Sequence, residues 1–290
     1  MIKKSMTAKE LIEESIFLLK KAGIESPKLN AELIMAHCMN KDRTYLYSNY
    51  NKKLSRIESN YFKSLVRRRL KREPVQYIVG ESEFMSLPFK LNRNVLIPRP
   101  ETEILVEYAL NYCLENKKRS FKIIDIGCGS GNIILSIAKY APKLCYYATD
   151  ISRGALRVTK ENKIINKIKD TVHLLQTDGF SGIKPKRTFN AVLSNPPYIP
   201  IDEIKKLESE VKDFEPERAL SGGKDGLDNV RNIIDEAPRY LKKGGLLAIE
   251  IGCGQGKRVM KHIKSNKFYI HTKLIKDLSG IERVLVAVRK

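Results

Sequence analysis

No stretch of this 290-residue chain comes near the roughly 18 uninterrupted apolar residues that a membrane-spanning helix needs, so no membrane role is expected. The opening Met1-Ile2-Lys3-Lys4 runs into a capped helix, not an apolar signal core, which speaks against secretion. Cysteine is sparse: Cys38, Cys113, Cys128, Cys145 and Cys253 are scattered without a Cys-x-x-Cys pair. That excludes a disulfide framework and a structural zinc, and fits the reducing cytoplasm. Four dispersed histidines (His37, His173, His262, His271) add no metal-ligand spacing, so no metal site is expected. Acidic residues are in deficit, with 33 Asp and Glu against 54 Lys and Arg, a net charge of +21. Such a charge favours acidic partners, ribosomal or transfer RNA among them, while a lysine-biased composition gives the same number with no such role. Direct nucleic-acid binding therefore stays open and is not required. The charge concentrates between Lys52 and Arg72, with Arg67-Arg68-Arg69 and Lys71-Arg72 at its end, and is read as a solvated helix face before a partner surface.

What is there suffices for a core: 42% of residues are apolar, enough for one large or two modest domains. Thr7 with Glu10 three residues later is a capping box opening a helix that carries Leu11, Ile12, Leu18 and Leu19 and ends at Gly23. Ser26-Pro27 predicts an N-cap with Pro at the first helical position. A short helix from Arg43 to Tyr47 and a longer one from Ser55 to Arg72 complete a four-helix lobe over residues 1–73. From Pro74 to Pro100 the pattern turns to short strands with Pro and Asn punctuation, a hairpin linker over 74–100. Over 101–290 helices and apolar strands alternate, which predicts an α/β domain with a doubly wound, mostly parallel sheet. Leu246–Ile251 is its fifth strand, and two late strands, Phe268–Ile275 and Arg283–Val288, close it with an antiparallel hairpin.

The chemistry gathers at strand ends. Ile123-Ile124-Asp125-Ile126 runs into Gly127-Cys128-Gly129-Ser130-Gly131, followed by an amphipathic stretch from Asn132 to Lys139. Glycines there let the backbone approach a ligand at a helix N-terminus. A dinucleotide fingerprint would need a third glycine at position 132, which is Asn132; the spacing is Gly-x-Gly-x-Gly. The next strand, Leu144–Thr149, ends in Asp150, placed to accept hydrogen bonds from ribose hydroxyls. The third, Val172–Gln176, ends in Thr177-Asp178-Gly179, where a carboxylate can receive an adenine amino group. The fourth, Phe189–Ser194, ends in Asn195-Pro196-Pro197-Tyr198. Consecutive prolines cannot extend a central strand, so the chain leaves the sheet in a stiff shape. Asn195 and nearby carbonyls are then acceptors for a planar substrate NH2 group, with the ring of Tyr198 beside it. Ile251-Gly252-Cys253-Gly254-Gln255-Gly256 mimics the glycine turn, but no acid-ending strand follows it, so it marks the end of the fifth strand and no second site.

This order resembles a class I S-adenosylmethionine-dependent methyltransferase, and Asn-Pro-Pro-Tyr resembles its amino-methylating branch. Pro74-Val75-Gln76-Tyr77-Ile78-Val79-Gly80-Glu81-Ser82-Glu83-Phe84, Ile97-Pro98-Arg99-Pro100-Glu101-Thr102-Glu103 and Phe214-Glu215-Pro216-Glu217-Arg218-Ala219-Leu220 are similar to stretches of the HemK/PrmC family. The resemblance spans nearly the whole chain and is clearest from Pro74 to Arg283. It implies methyl transfer to the N5 amide of the glutamine in the Gly-Gly-Gln motif of class 1 peptide chain release factors. It also implies a substrate-recognising helical lobe, a linker, and a methyltransferase domain acting as a monomer. Gly127, Cys128, Gly129, Ser130, Gly131, Asp150, Asp178, Gly179 and Asn195 would hold the cofactor, and Asn195, Pro196, Pro197 and Tyr198 the substrate. In the family an aromatic residue often follows the aspartate of the third strand; here Gly179 stands there, with Phe180 next. The rival reading is an N6-adenine or other exocyclic-amino methyltransferase acting on DNA or RNA, with a flipped base in the same pocket. The sequence shows no added nucleic-acid-reading module. A catalytically dead binding module is the third class, disfavoured because every core motif residue is present.

Overall fold

The computed structural model describes residues 6–116, 121–169 and 171–290; the opening Met1-Ile2-Lys3-Lys4 lies outside the described residues. The chain forms two compact units. One runs to Glu81 and also takes in Glu208–Phe214; the other comprises Ser82–Leu207 and Glu215–Lys290.

The first unit contains α1 (Ala8–Lys21), α2 (Pro27–Cys38), α3 (Arg43–Asn49), α4 (Arg56–Leu70) and α5 (Val75–Val79). Thr7 and Glu10 form the predicted capping box, and Ser55 with Glu58 repeats the device at α4. Each box satisfies two N–H groups that a helix start leaves free. Ser26 does not cap α2 as expected: its φ of 46° is left-handed and its side chain makes no cap bond. The Asn30 amide ties this turn instead, donating to the carbonyls of Glu25 and Ser26 at 3.1 and 3.0 Å. Leu11, Ile12 and Leu19 enter the core with Ile34, Met35, Phe62 and Leu65, whereas Leu18 is 39% exposed. The strands expected from Pro74 begin later, because α5 comes first. Its β-branched residues are tolerated because Val75 and Ile78 are buried in this core, and Gly80, at φ 79°, ends the helix. Arg69 is buried, with Nε on Asn30 Oδ1 (2.6 Å), Nη1 on the Glu73 carbonyl (3.2 Å) and Nη2 on Glu210 Oε1 (2.7 Å).

The second unit opens with the hairpin β1 (Glu81–Phe84) and β2 (Leu87–Lys90), which turns through Met85 and Ser86, both at positive φ. Then follow α6 (Glu103–Glu115), β3 (Lys122–Ile126), α7 (Asn132–Tyr140), β4 (Cys145–Asp150), α8 (Arg153–Ile165), β5 (Val172–Gln176) and β6 (Phe189–Ser194). Two single turns come next, α9 (Ile201–Ile204) and α10 (Ser209–Lys212), the latter in the segment that belongs to the first unit. The chain finishes with α11 (Asp228–Glu236), β7 (Leu241–Glu250), α12 (Gly256–Ser265), β8 (Tyr269–Lys276) and β9 (Glu282–Arg289).

The strand order is β5-β4-β3-β6-β7-β9-β8, parallel from β5 to β7, with β9 antiparallel to both neighbours. This is the expected doubly wound, mostly parallel sheet with a closing antiparallel hairpin. Strand alternation divides the core. Ile123, Ala148 and Leu193 pack with α6 and α7 residues on one face, while Ile124, Val192 and Leu247 pack with α11 and α12 residues on the other. β7 starts five residues earlier than expected. It tolerates Gly244-Gly245 because the pairing with β6 shifts there, from Phe189 opposite Leu241 to Ala191 opposite Leu246. Order reverses between β3 and β6, so the carboxyl ends of β3, β4, β5, β6 and β7 share one edge, where open α/β sheets bind ligands.

Candidate active site

A cavity of about 960 Å³ opens on that edge. Small-molecule pockets run up to about 1,000 Å³, so a nucleoside-sized ligand and a second reacting group fit together. Its wall includes Gly127, Cys128, Gly129, Ser130, Asp150, Asp178, Gly179, Asn195, Pro196 and Pro197. Gly131 and Tyr198 stand outside it. Phe180 lies in the core, stacked on Tyr240 at 4.4 Å between ring centroids, so it is Gly179 that faces the cavity.

The glycine turn is shaped by positive φ at Gly127, Gly129 and Gly131, a region that L side chains enter only with strain. A Cβ on Gly131 would also lie 2.7 Å from Thr159 Cγ2, whereas one on Gly127 or Gly129 would meet open space. Gly131 thus serves close packing of helix on turn, and the other two keep the wall thin. Helix α8 braces the turn from behind. Thr159 Oγ1 donates to the Gly129 carbonyl (2.8 Å), and Asn162 Nδ2 donates to the carbonyls of Ser130 (2.9 Å) and Lys90 (3.1 Å). Asp150 accepts Gly129 N–H on Oδ2 (2.9 Å) and Ser152 N–H on Oδ1 (2.8 Å), so each oxygen keeps capacity for a further donor. Burial raises its pKa, and these two N–H groups oppose the rise.

Beneath the turn lies Asp125, fully buried, with neither carboxylate oxygen completing a hydrogen bond among the described residues. Burial first, then the charge of Asp150, push it up to about 8, with only the Ile134 N–H pulling the other way. Unpartnered buried carboxyls are rare and costly, and one beneath a cavity, with the Asp150 carboxylate beside it, suits a cationic ligand.

The Asn-Pro-Pro-Tyr loop is held by residues the sequence reading did not single out as part of the site. Asn195 Nδ2 donates to Thr102 Oγ1 at 3.1 Å, which uses one of its two N–H bonds and leaves Oδ1 as the side chain's acceptor. Asn229 Nδ2 donates to the Pro197 carbonyl (3.2 Å), and Gln255 Nε2 to the Tyr198 carbonyl (2.8 Å). The Pro196 carbonyl has no such partner among the described residues. Tyr198 turns away from the cavity: its phenol donates to Glu250 Oε1 (3.4 Å), and its ring lies over Gly252, where a Cβ would come within 3.0 Å of Cδ2. Burial, then Glu250, raise the Tyr198 pKa far above the usual phenol range. Gln255 sits in the near-repeat of the glycine turn, which lies after β7 and braces this loop. Arg99, on the cavity wall, is held by Glu215 at 2.7 Å. Among the described residues no cluster of His, Cys, Asp and Glu could hold a metal.

A family model described as the PrmC N-terminal domain matches residues 10–80, and one described as the methyltransferase small domain matches residues 102–210. The release factor glutamine methyltransferase of Thermodesulfovibrio yellowstonii is 41% identical over 256 residues, covering 88% of this chain and 90% of that protein. Its counterpart from Clostridium acetobutylicum is 38% identical over 285 residues, covering 98% and 99%. The chain belongs to the release factor glutamine methyltransferase family. Among solved structures, the human Mettl16 catalytic domain in complex with the MAT2A 3'UTR hairpin 6 aligns with a TM-score of 0.58 at 14% identity, over 85% of this chain and 92% of that chain. That likeness is one of fold.

The cofactor of a methyltransferase of this fold is S-adenosylmethionine, and the residues present fit it. The thin glycine wall admits a close backbone approach, and Asp150 has lone pairs left for hydroxyl donors. The buried Asp125 carboxyl, which a nearby cation would draw into its ionised form, suits a sulfonium and ammonium ligand.

Proposed function

We propose that the protein methylates the side-chain amide nitrogen of the glutamine in the Gly-Gly-Gln motif of class 1 peptide chain release factors, using S-adenosylmethionine. One observation carries the reading: in the Asn-Pro-Pro-Tyr loop, Asn195 Oδ1 and the Pro196 carbonyl accept no hydrogen bond among the described residues. Asn195 is oriented by its Nδ2 bond to Thr102, with Oδ1 accepting nothing among the described residues, and the Pro197 and Tyr198 carbonyls each take a donor where that of Pro196 takes none. Two acceptors in succession match the two N–H bonds of a primary amide. The names of the relatives supply the substrate class.

An amide nitrogen is a poor nucleophile because its lone pair is delocalised into the carbonyl. The bound cofactor supplies an activated methyl group. The task left to the protein is placement and electrostatics. Asn195 and the Pro196 carbonyl hold the nitrogen and strengthen their hold as positive charge develops on it. No base acts before transfer, since the N–H proton becomes acidic only as the new N–C bond forms. Stiffness from the two prolines keeps both acceptors from relaxing away. Gly127 to Ser130, Asp150, Asp178 and Gly179 form the cofactor wall. We read the protein as a cytoplasmic monomer; among the described residues no helix is long and apolar enough to cross a membrane.

The test offers the enzyme and labelled cofactor four substrates: a release factor, its Gln→Ala variant, DNA and ribosomal RNA. Label should appear on the release factor alone and vanish with the Gln→Ala change. Label on nucleic acid with none on release factor would install the exocyclic-amino reading, which the net charge of +21 keeps open.

A further inference from the structure

We propose that the sheet edge opposite the cavity, where Arg187 and Arg289 stand, binds the phosphate backbone of a nucleic acid. This binding is separate from methyl transfer, goes beyond the glutamine reading and does not rest on it. It gives the net charge of +21 a place in the fold.

Strand pairing fixes what lies there. Phe189, the first residue of β6, stands opposite Leu241, the first of β7. Arg289, the last of β9, stands opposite Tyr269, the first of β8, one step beyond the pairing of Val288 with Leu246 of β7. The amino ends of β6, β7 and β8 therefore meet the carboxyl end of β9 at one edge. Each strand brings cations: Lys186 and Arg187 lead into β6, Lys243 lies near the start of β7, Lys267 precedes β8, and Arg289 closes β9. Lys186, Arg187, Lys243 and Lys267 are exposed. None of the five is paired with a carboxylate among the described residues. The acids that end α11, Asp235 and Glu236, are taken by His262 at 3.0 Å and Arg239 at 2.8 Å.

Exposed lysines alone would mark nothing more than a lysine-biased composition. Arg289 is different. It shares the sheet face of Leu285 and Ala287, which α11 and α12 cover, and it is 5% exposed. Its Nε is sealed from solvent without a hydrogen bond, and neither Nη makes one among the described residues. The arginine at the other end of the same strand, Arg283, is held by Asp277 at 2.8 Å. A guanidinium stays charged when buried, and burying it unpaired is costly, so the unmet fork calls for an anion. Burial first, then the charge of Arg187, press its pKa down, with Tyr269 opposing, so a second cation bears on the same spot. Two phosphate oxygens match the guanidinium fork, and the exposed cations around it meet further phosphates along a strand. The location decides the role. The six residues of β6 put about 17–20 Å between this edge and Asn195 beyond the strand's far end. A nucleic acid held here is bound and not methylated.

The experiment titrates labelled single-stranded RNA and DNA of one mixed sequence with the full-length protein, without cofactor or release factor, and reads anisotropy over a range of salt. Both should bind, because phosphates and not bases are held, and affinity should fall as salt rises. Arg187→Ala and Arg289→Gln should each weaken binding about tenfold at low salt, as a lost charged contact does. Each should also lower the slope of log affinity against log salt by about 0.7, the share of one phosphate on a single strand. Lys20→Ala combined with Lys21→Ala, a larger loss of charge at the exposed end of α1, should leave both quantities near wild type. Asn195→Ala should bind as wild type does, and Arg187→Ala should keep release factor methylation. Melting curves show whether Arg289→Gln folds; the exposed Arg187 decides the matter if it does not. No binding at low salt, wild-type affinity and slope in Arg187→Ala, or lost binding in Asn195→Ala would overturn the proposal. Inorganic phosphate that displaces the oligonucleotide at equal phosphate concentration would mark a free-phosphate site and overturn it too. Failure here leaves the glutamine reading standing, since that assay reads label on release factor.

Discussion

The two walls of the cavity are held by different means. On the cofactor side, backbone conformation does the shaping: three glycines at positive φ bend the chain, and Thr159, Asn162 and Asp150 grip the turn from elements that follow it within about one βα unit. On the acceptor side, two prolines stiffen the chain and side chains from distant segments hold it. Asn195 and Thr102 are 93 residues apart, Tyr198 and Gln255 57 apart. A wall made by backbone tolerates changes in the side chains around it, whereas one made by side-chain amides depends on each of them. The division also fits the chemistry, because a cofactor must only be bound while the acceptor nitrogen must be aligned.

The strongest way to break this comparison is Asn195→Ala. It should cost roughly 100-fold or more in kcat, since an aligned electrostatic contact made in the transition state is lost. Cofactor affinity, measured by calorimetry, should barely change. Affinity falling in step with kcat would show the two walls to be one. The converse change, Asp150→Ala, removes an acceptor from the cofactor wall and a brace from the Gly129 N–H, and should weaken cofactor binding by about 1.5–3 kcal/mol. Unchanged affinity would take Asp150 out of the cofactor wall. Next in size comes Gln255→Leu, which strips the Tyr198 and Gly226 carbonyls of a donor at a buried position. Thermal or denaturant unfolding should show a loss of about 1–3 kcal/mol, with turnover falling more than cofactor affinity.

A further prediction concerns Asp125. Its carboxyl binds a proton more firmly folded, up to about 8, than at its ordinary value of 3.8. The cofactor-free protein should therefore lose stability from this group as pH climbs between those values, the reverse of a salt-bridged aspartate. Asp125→Asn should flatten that slope in melts taken across the range. A cationic cofactor favours the ionised carboxyl, so binding at neutral pH should release up to one proton. Calorimetry in two buffers of different ionisation enthalpy reads this directly, and identical heats would deny the coupling.

Much of this architecture was legible in the chain. The central strand Phe189–Ser194 falls where its apolar run places it, because a central parallel strand must be apolar on both faces, and the edge strand Val172–Gln176 also has its expected bounds. The glycine turn was readable for a related reason: its shape is local backbone geometry, written in closely spaced glycines. Three things were not readable. Val75–Val79 has the β-branched composition of a strand and becomes a helix because the lobe core buries Val75 and Ile78. Ser26 precedes a proline in the usual capping pattern, yet its backbone enters the left-handed region and Asn30 takes over. The braces Thr102, Asn229, Glu250 and Gln255 carry no motif of their own, since their roles arise from contacts that exist only once the sheet has formed. The one available hint was the near-repeat Ile251–Gly256, whose glycines serve a brace and not a ligand.

The buried Arg69 guanidinium bears on how the molecule can be taken apart. Its Nη2 is matched by Glu210, which lies more than a hundred residues downstream but within the same unit. A fragment cut after Glu81 would inherit the cation without its counter-charge, and an uncompensated buried charge typically costs about 3–5 kcal/mol. The helical lobe is therefore not a separable cassette in the linear sense. Transplanting it onto another enzyme, or isolating it for spectroscopy, calls for a stitched-on copy of Glu208–Phe214 or for an apolar side chain in place of Arg69. The covalent order of the chain and the order of its folding units are two different maps.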